Sequence, residues 1–195
     1  MGSDAPAGPD EAVRRTRRWL ERVVIAENLC PFAGRAARRG DVRIVADAFD
    51  VEACLARLAS EADALAGAGD PDAVDAPTVL LVVAPDAAGT TPVDDLDDFL
   101  DLVALGDALL GSLGHDGALQ LASFHPRYAF EGEPADDPAN ATNRAPYPTL
   151  HLLRESAVAA AAARHPDPQA IPGRNVERLR ALGADGVARL LGRID

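Results

Sequence analysis

The spacing of apolar and polar residues along the chain predicts helices that alternate with strands. Apolar residues recur with helical spacing in three segments: 11–29, 51–67 and 91–113. Three shorter segments have the alternating or continuous apolar pattern of strands: 42–49, 78–85 and 118–126. The continuous run TVLLVVAP at 78–85 is typical of a strand that is covered on both of its faces.

The C-terminal third of the chain predicts a loop followed by helices. Residues 131–148 are rich in Glu, Asp and Pro and predict a loop. A helix is expected over 149–164, with Pro148 in its first turn, where the missing N–H costs nothing. Two short helices are expected to follow, near 174–182 and 186–192.

These elements predict one α/β layered domain over residues 11–195, with a small sheet of three or more strands flanked by helices. The order of the strands stays open, because crossovers of this length permit both parallel and antiparallel neighbours. Residues 1–10 are expected to be disordered, and 68–77 to form a flexible surface loop.

The composition limits the kinds of molecule that the protein is expected to bind. The net charge is −12, and all 19 basic residues are Arg. An acidic chain argues against nucleic acid or an anionic membrane as the main partner, because binding phosphates needs a basic surface. No apolar run is long enough for a transmembrane helix, and residues 1–15 lack a signal-peptide core, so we expect a cytoplasmic protein. The two cysteines, Cys30 and Cys54, lack metal-ligand spacing and are expected to be thiols.

The end of the third predicted strand carries candidate chemistry. Ligands of open α/β sheets bind beyond the carboxyl ends of strands, and this strand ends in His125, Arg127 and Tyr128. The pKa of an unperturbed imidazole lies near working pH, so His125 is a candidate general acid or base. The alternative is a histidine whose ring only closes hydrogen bonds at the end of the strand.

The stretch DDPANATNRAPYPTLHLLRE, residues 136–155, is a second candidate site. A helix that begins after Pro148 would offer free N–H groups to an anion, and Arg144 would add a bidentate contact. On that helix His151, Arg154 and Glu155 would share one face. The polar residues of the preceding loop, Asn143 and Tyr147, join the substrate-binding candidates. The alternative is a capped helix with ordinary turns before it.

Cys30, in NLCPFA at 28–33, is the third candidate. Nearby arginines would favour its thiolate, and His125 or His151 would complete a thiol–imidazole pair for nucleophilic catalysis. The same atoms suit a metal or a haem iron, but no ligand spacing supports a metal, and a buried inert thiol stays open. Phosphate-binding glycine loops and the G-x-S-x-G elbow are absent from the sequence.

With these motifs identified, the chain resembles the family called domain of unknown function 1415, found in bacteria and associated with plastids. The resemblance rests on four motifs: NLCPFA, SFHPRYAF (123–130), DDPANATNRAPYPTLHLLRE and IPGRN (171–175). It implies a small soluble single-domain protein and supplies no reaction. It adds Arg174 and Asn175 to the candidate residues. Ala141, Ala145 and Gly173 depart from the family's pattern, which predicts a different ligand if those positions line the site.

The sequence therefore predicts an enzyme that acts on a small anionic metabolite. His125 and His151 would move protons, arginines would hold the anion, and Cys30 would be an optional nucleophile. A ligand-, metal- or haem-binding module without catalysis is the alternative, and a scaffold that docks a protein partner is a third. The reaction, the cofactor and the oligomeric state stay open at this stage.

Overall fold

The computed structural model describes residues 8–68 and 76–194, and it contains a four-stranded mixed sheet in the order β1-β2-β4-β3. The strands are β1 (Val42–Asp47), β2 (Thr78–Val83), β3 (Leu119–Phe124) and β4 (Thr149–Arg154). β1 and β2 are parallel, whereas β4 is antiparallel to both of its neighbours. The predicted α/β layered class is confirmed, with one more strand than the three that the pattern identified.

The helices are α1 (Pro9–Trp19), α2 (Ala33–Arg39), α3 (Val51–Gly67), α4 (Leu96–Ser112), α5 (Glu155–Ala163) and α6 (Ile171–Leu191). α1 continues directly into a π-helical segment, Leu20–Ile25, and short 3₁₀ helices span Pro138–Asn143 and Gly192–Ile194. α6 is interrupted at Gly183, whose φ of 67° and ψ of 173° are not helical. This break corresponds to the predicted division into two short helices.

The prediction of a helix over 149–164 is wrong for its first part. Residues 149–154 form β4, and α5 begins only at Glu155, with no loop between the two. The sequence TLHLLR alternates, so that Leu150 and Leu152 lie on one face of the strand and His151 and Leu153 on the other. Pairing with strands on both sides outweighed the helix propensity of the Ala-rich residues that follow.

One face of the sheet is closed by α3 and α4. Alternate residues of β2 pack there against both helices, as do Leu150 and Leu152 of β4. Gly106 lets α4 approach closely, because a Cβ at this position would lie 3.0 Å from methyl carbons of Leu58 and Leu121. This layer is the main hydrophobic core.

The opposite face of the sheet is covered by α1, the π-helical segment and α6. Trp19, Val23 and Leu179 form the centre of a second core there, which reaches Leu80 of β2 and Phe124 of β3. Trp19 meets Phe124 edge to face, with ring centroids 5.1 Å apart. This second layer covers only part of the face, and the remainder, over β3 and β4, leads to the candidate site.

Parts of two predicted segments lie outside the described residues. Of the expected disordered region 1–10, residues 1–7 are outside, while Pro9 and Asp10 begin α1. Residues 69–75 of the expected loop 68–77 are outside as well. Within the described ranges, no helix combines the length and the apolar character that crossing a membrane requires.

Candidate functional site

A cavity of about 560 Å³ lies on the partly covered face of the sheet. Its floor is formed by side chains from all four strands, and its walls come from the end of α1, the π-helical segment, α2 and α5. The floor residues are Val42, Thr78, Leu80, Gln120, Ala122, Phe124, His151 and Leu153. A volume of this size is typical of pockets that hold small organic molecules.

Small side chains keep the cavity open. Ala122 of β3 pairs directly with His151 of β4, so the neighbouring side chain on that side of the imidazole is only a methyl group. Ala157 and Ala161, one turn apart on α5, form the wall facing it. α5 follows β4 without a loop, buries none of its residues and does not close the cavity that it lines.

His151 occupies the middle of this floor. It lies across the sheet from Leu80 on one side and Ala122 on the other. Its Nε2 is 2.6 Å from Oγ1 of Thr78, and its ring centroid is 6.2 Å from that of Phe124. The ring is half-buried, and the part that remains accessible faces the cavity.

The hydrogen bonds of Thr78 define the protonation of the His151 ring. Oγ1 of Thr78 donates its only proton to the carbonyl oxygen of Leu152, at 2.8 Å. It therefore accepts from Nε2 of His151, so Nε2 carries the ring proton of the neutral imidazole. Nδ1 keeps its lone pair, and the ring of His151 lines the cavity. Nδ1 is an acceptor that the cavity can reach.

Burial keeps this imidazole neutral. Removal from water disfavours the charged ring and lowers the pKa of His151 from 6.5 to about 4. At neutral pH, His151 is therefore a neutral hydrogen-bonding group. A base with a pKa this low accepts protons poorly near pH 7.

Cys30 lies on the wall of the same cavity. It is half-buried and follows the end of the helix, where Asn28 adopts a left-handed conformation with a φ of 54°. The buried Nδ2 of Asn175 donates to the carbonyl oxygen of Leu29, at 2.7 Å. Asn175, expected to bind substrate, instead holds in place the loop that carries Cys30.

Basic side chains lie around the mouth of the cavity. Arg35 and Arg164 line it and are exposed, and the half-buried His165 lies beside them. Nδ1 of His165 accepts from the backbone N–H of Asp167, at 3.1 Å, which leaves Nε2 as a donor. The acidic side chain in the lining, Asp41, is paired with Arg39 at 2.7 Å.

His125 lies outside this cavity. Its ring is 1% exposed and stacks on Phe99, with centroids 5.1 Å apart. Nδ1 accepts from the backbone N–H of Arg127, at 3.1 Å, and Nε2 donates to the carbonyl oxygen of Val93, at 3.2 Å. Both ring nitrogens are thus bonded to backbone groups, one just after β3 and one before α4, and burial lowers the pKa of His125.

The polar residues of the 136–155 stretch mainly hold one loop to another. Oδ1 of Asn140 accepts from the N–H of Phe130, at 2.9 Å, and the carbonyl oxygen of Asn143 accepts from the N–H of His125, at 3.1 Å. Arg144 donates to the carbonyl oxygens of Tyr128, at 3.0 Å, and Ala135, at 2.7 Å. The expected anion site before residue 149 is absent from this loop, because no helix begins there.

The other arginine and tyrosine candidates also lie away from the cavity. Arg127 is exposed and contacts Asp94, and Tyr128 packs edge to face on Phe130. The buried Tyr147 lies under the guanidinium of Arg15, which is 5.6 Å from the ring centroid. Arg174 is exposed on α6.

Arg154 has a structural role that did not follow from the predicted helix. As a strand residue it points to the face opposite His151, where it is 4% exposed. Its guanidinium donates to the carbonyl oxygen of Leu65, at 2.6 Å, and to that of Ala68, at the C-terminal end of α3. It therefore satisfies carbonyl groups that a helix end leaves without partners.

The positions that depart from the family's pattern lie outside the cavity as well. Ala141 and Ala145 are 2% and 4% exposed and belong to the second core. Gly173 is exposed, and a Cβ there would meet nothing within 4 Å. The three residues that differ from the family's pattern therefore lie in the core or on the surface, and none of them lines the cavity.

Sequence reasoning missed much of the lining, including Trp19, Thr78, Ala122, Arg164 and His165. The alternation in TLHLLR was the available signal, since it separates His151 from its two buried Leu neighbours. Among residues 8–68 and 76–194, no three His, Cys, Asp or Glu side chains are grouped so that they could hold a metal ion.

The fold and site define a small mixed α/β protein whose sheet bears a cavity on one face. The chain belongs to the family described as protein of unknown function (DUF1415), whose model matches residues 11–189. This match confirms the resemblance seen in the sequence motifs. No curated protein and no solved structure shows significant similarity to the chain.

The lowered pKa of His151 predicts a pH-dependent stability. Protonation favours the unfolded state, so stability is complete above pH 6.5 and falls as the pH drops towards 4. Each pH unit in this window costs about 1.4 kcal/mol. In His151→Gln, the decrease in unfolding free energy between pH 7 and pH 5 should be smaller than in wild type, as measured by urea denaturation. An equal decrease in both proteins would contradict the assignment.

Proposed function

We propose that the protein binds a small organic molecule with a largely apolar body and an acid group, in the cavity on the open face of the sheet. The observation that carries this proposal is a roomy, mainly apolar cavity with a few polar groups at its floor and mouth. Binding pockets for metabolites have this composition, since apolar walls supply affinity and a few polar groups fix orientation.

The walls favour an apolar, planar body for the ligand. Phe124 presents aromatic surface beside the buried Trp19, and Phe32 is also in the lining, with its ring 6.0 Å from that of His165. The alanines of β3 and α5 in the lining are small and leave room for a ring. Aromatic contacts with such a ligand would add to the free energy gained from burying its apolar surface.

The mouth favours an acid group. Two arginines and the donor nitrogen of His165 gather there, although the chain carries a net charge of −12. Guanidinium groups form strong charge-assisted hydrogen bonds with carboxylates. The nearby Asp41 is already neutralised by its pairing with Arg39. A small acid, rather than nucleic acid or a membrane, is therefore the proposed partner.

Catalysis in the same cavity is the second candidate, because Cys30 and His151 both line it. Cys30 would act as the nucleophile and His151 as its base. A cytoplasmic location, which we also propose, would keep Cys30 reduced. Binding without catalysis is the first candidate, because an imidazole with a pKa of about 4 is a weak base at neutral pH.

Filling the cavity should abolish binding of a matching probe. 8-Anilinonaphthalene-1-sulfonate combines an aromatic body with an anionic group, and we expect it to bind the native protein at a single saturable site. Ala161→Leu places a larger side chain in the cavity wall and should weaken binding at least about tenfold, measured by fluorescence titration.

The matched control is Ala159→Leu, on the exposed side of the same helix. It should bind the probe like wild type, and both variants should unfold cooperatively near the wild-type temperature. Arg164→Gln should also weaken binding, whereas Arg189→Gln, an equal change of charge on α6, should not. Equal binding by wild type and Ala161→Leu would exclude this cavity as the site.

The second candidate predicts that Cys30 reacts with iodoacetamide in the native protein. Cys54 is an internal control, since it is 1% exposed and burial raises its pKa to about 12. Mass spectrometry should find alkylation at Cys30 alone, slowed in Ala161→Leu. A Cys30 that reacts no faster than Cys54 would exclude nucleophilic catalysis and leave the binding proposal standing.

A further inference from the structure

The polar groups of the cavity differ in kind between its floor and its mouth. At the floor, Nε2 of His151 is committed to Thr78, and Nδ1 offers only a lone pair. At the mouth, the guanidinium of Arg164 and Nε2 of His165 offer only donors. The site therefore presents an acceptor inside and donors outside.

An acceptor at Nδ1 is the arrangement that keeps both hydrogen bonds of Thr78. Reversing the tautomer would require Thr78 to donate to His151, and Thr78 would then lose its bond to the carbonyl oxygen of Leu152. Thr78 is 8% exposed, so water does not easily replace that bond. The cross-strand neighbours of His151 are Leu80 and Ala122, which offer no side-chain polar atom.

We propose that the site selects acids that carry a hydroxyl or N–H donor at the end remote from the acid group. This inference rests on the proposed function and names the class of its ligand. The acid group lies at the mouth, and the donor hydrogen-bonds to Nδ1 of His151. Gln120, also in the lining, offers both a donor and acceptors, so it does not discriminate between ligand types.

A ligand without the donor leaves Nδ1 unpaired in a site from which it has displaced water. Sites built to hydrogen-bond a hydroxyl group discriminate strongly against analogues that lack it, because the partner on the protein is then left unsatisfied. A loss of about tenfold or more in affinity is expected for each such analogue.

The test compares matched pairs of acids. The probes are 4-hydroxybenzoate, 4-hydroxyphenylacetate and 3-(4-hydroxyphenyl)propionate, each paired with its 4-fluoro analogue, in which fluorine is close in size to the hydroxyl but cannot donate. Isothermal titration calorimetry should show that at least one phenol binds about tenfold or more tightly than its partner. Binding should also shift the ¹⁵N resonance of Nδ1 in His151.

The variants Thr78→Val and Thr78→Ser test the origin of the selectivity. Thr78→Val removes the acceptor for Nε2, frees the choice of tautomer and should reduce the preference for phenols. Thr78→Ser keeps the hydroxyl and should retain the preference. A preference that persists in Thr78→Val, with both proteins cooperatively folded, would overturn the proposed role of Thr78.

The outcomes separate this inference from the proposed function. Equal affinities for phenols and fluoro analogues would overturn the donor selection while leaving the cavity as a binding site. The same holds if the anilinonaphthalene sulfonate binds and none of the phenols does. If neither the sulfonate nor any acid binds in the cavity, the proposed function fails first, and the inference fails with it.

Discussion

The insertion of β4 between β2 and β3 is the constraint on which the rest of the structure depends. Because β4 is hydrogen-bonded on both sides, its register determines which side chains face which layer. Leu150 and Leu152 enter the main core, and His151 faces the opposite side. A shift of one residue would place an imidazole in the core and two leucines in the cavity.

The two layers of the sheet have different roles. The layer under α3 and α4 is closed by apolar side chains and forms one continuous core. The layer opposite is closed at one end by Trp19 and Leu179 and left open at the other, where alanines replace larger residues. The cavity thus occupies the part of this face that the second core does not cover.

The sequence predicted the main elements, whereas several of its polar candidate residues have hydrogen-bond partners within the fold. The continuous apolar run of β2 and the helical spacing of α3 and α4 were sufficient to predict the layered fold. β4 was missed because its six residues run directly into the Ala-rich α5, and local propensity cannot report pairing with distant strands. That error also placed Arg154 beside His151, whereas the two lie on opposite faces.

The candidate site could be predicted only in part, for the same reason. Cys30 and His151 were identified and both line the cavity, whereas the side chains of His125 and Arg144 satisfy backbone groups in two loops and Asn143 contributes its backbone carbonyl. A loop folded against another loop needs partners for its N–H and carbonyl groups, and the polar residues of the motif supply them. Small residues such as Ala122 carry no chemical signal in a sequence, although they create the space.

The most direct test of the account is a crystal structure of the protein soaked with small aromatic acids. We expect an aromatic ring above Ala122, with its polar end within hydrogen-bond distance of Nδ1 of His151 and its acid group towards Arg164. A structure in which α5 packs directly onto Ala122 and leaves no space, or in which the acids bind only elsewhere, would contradict it.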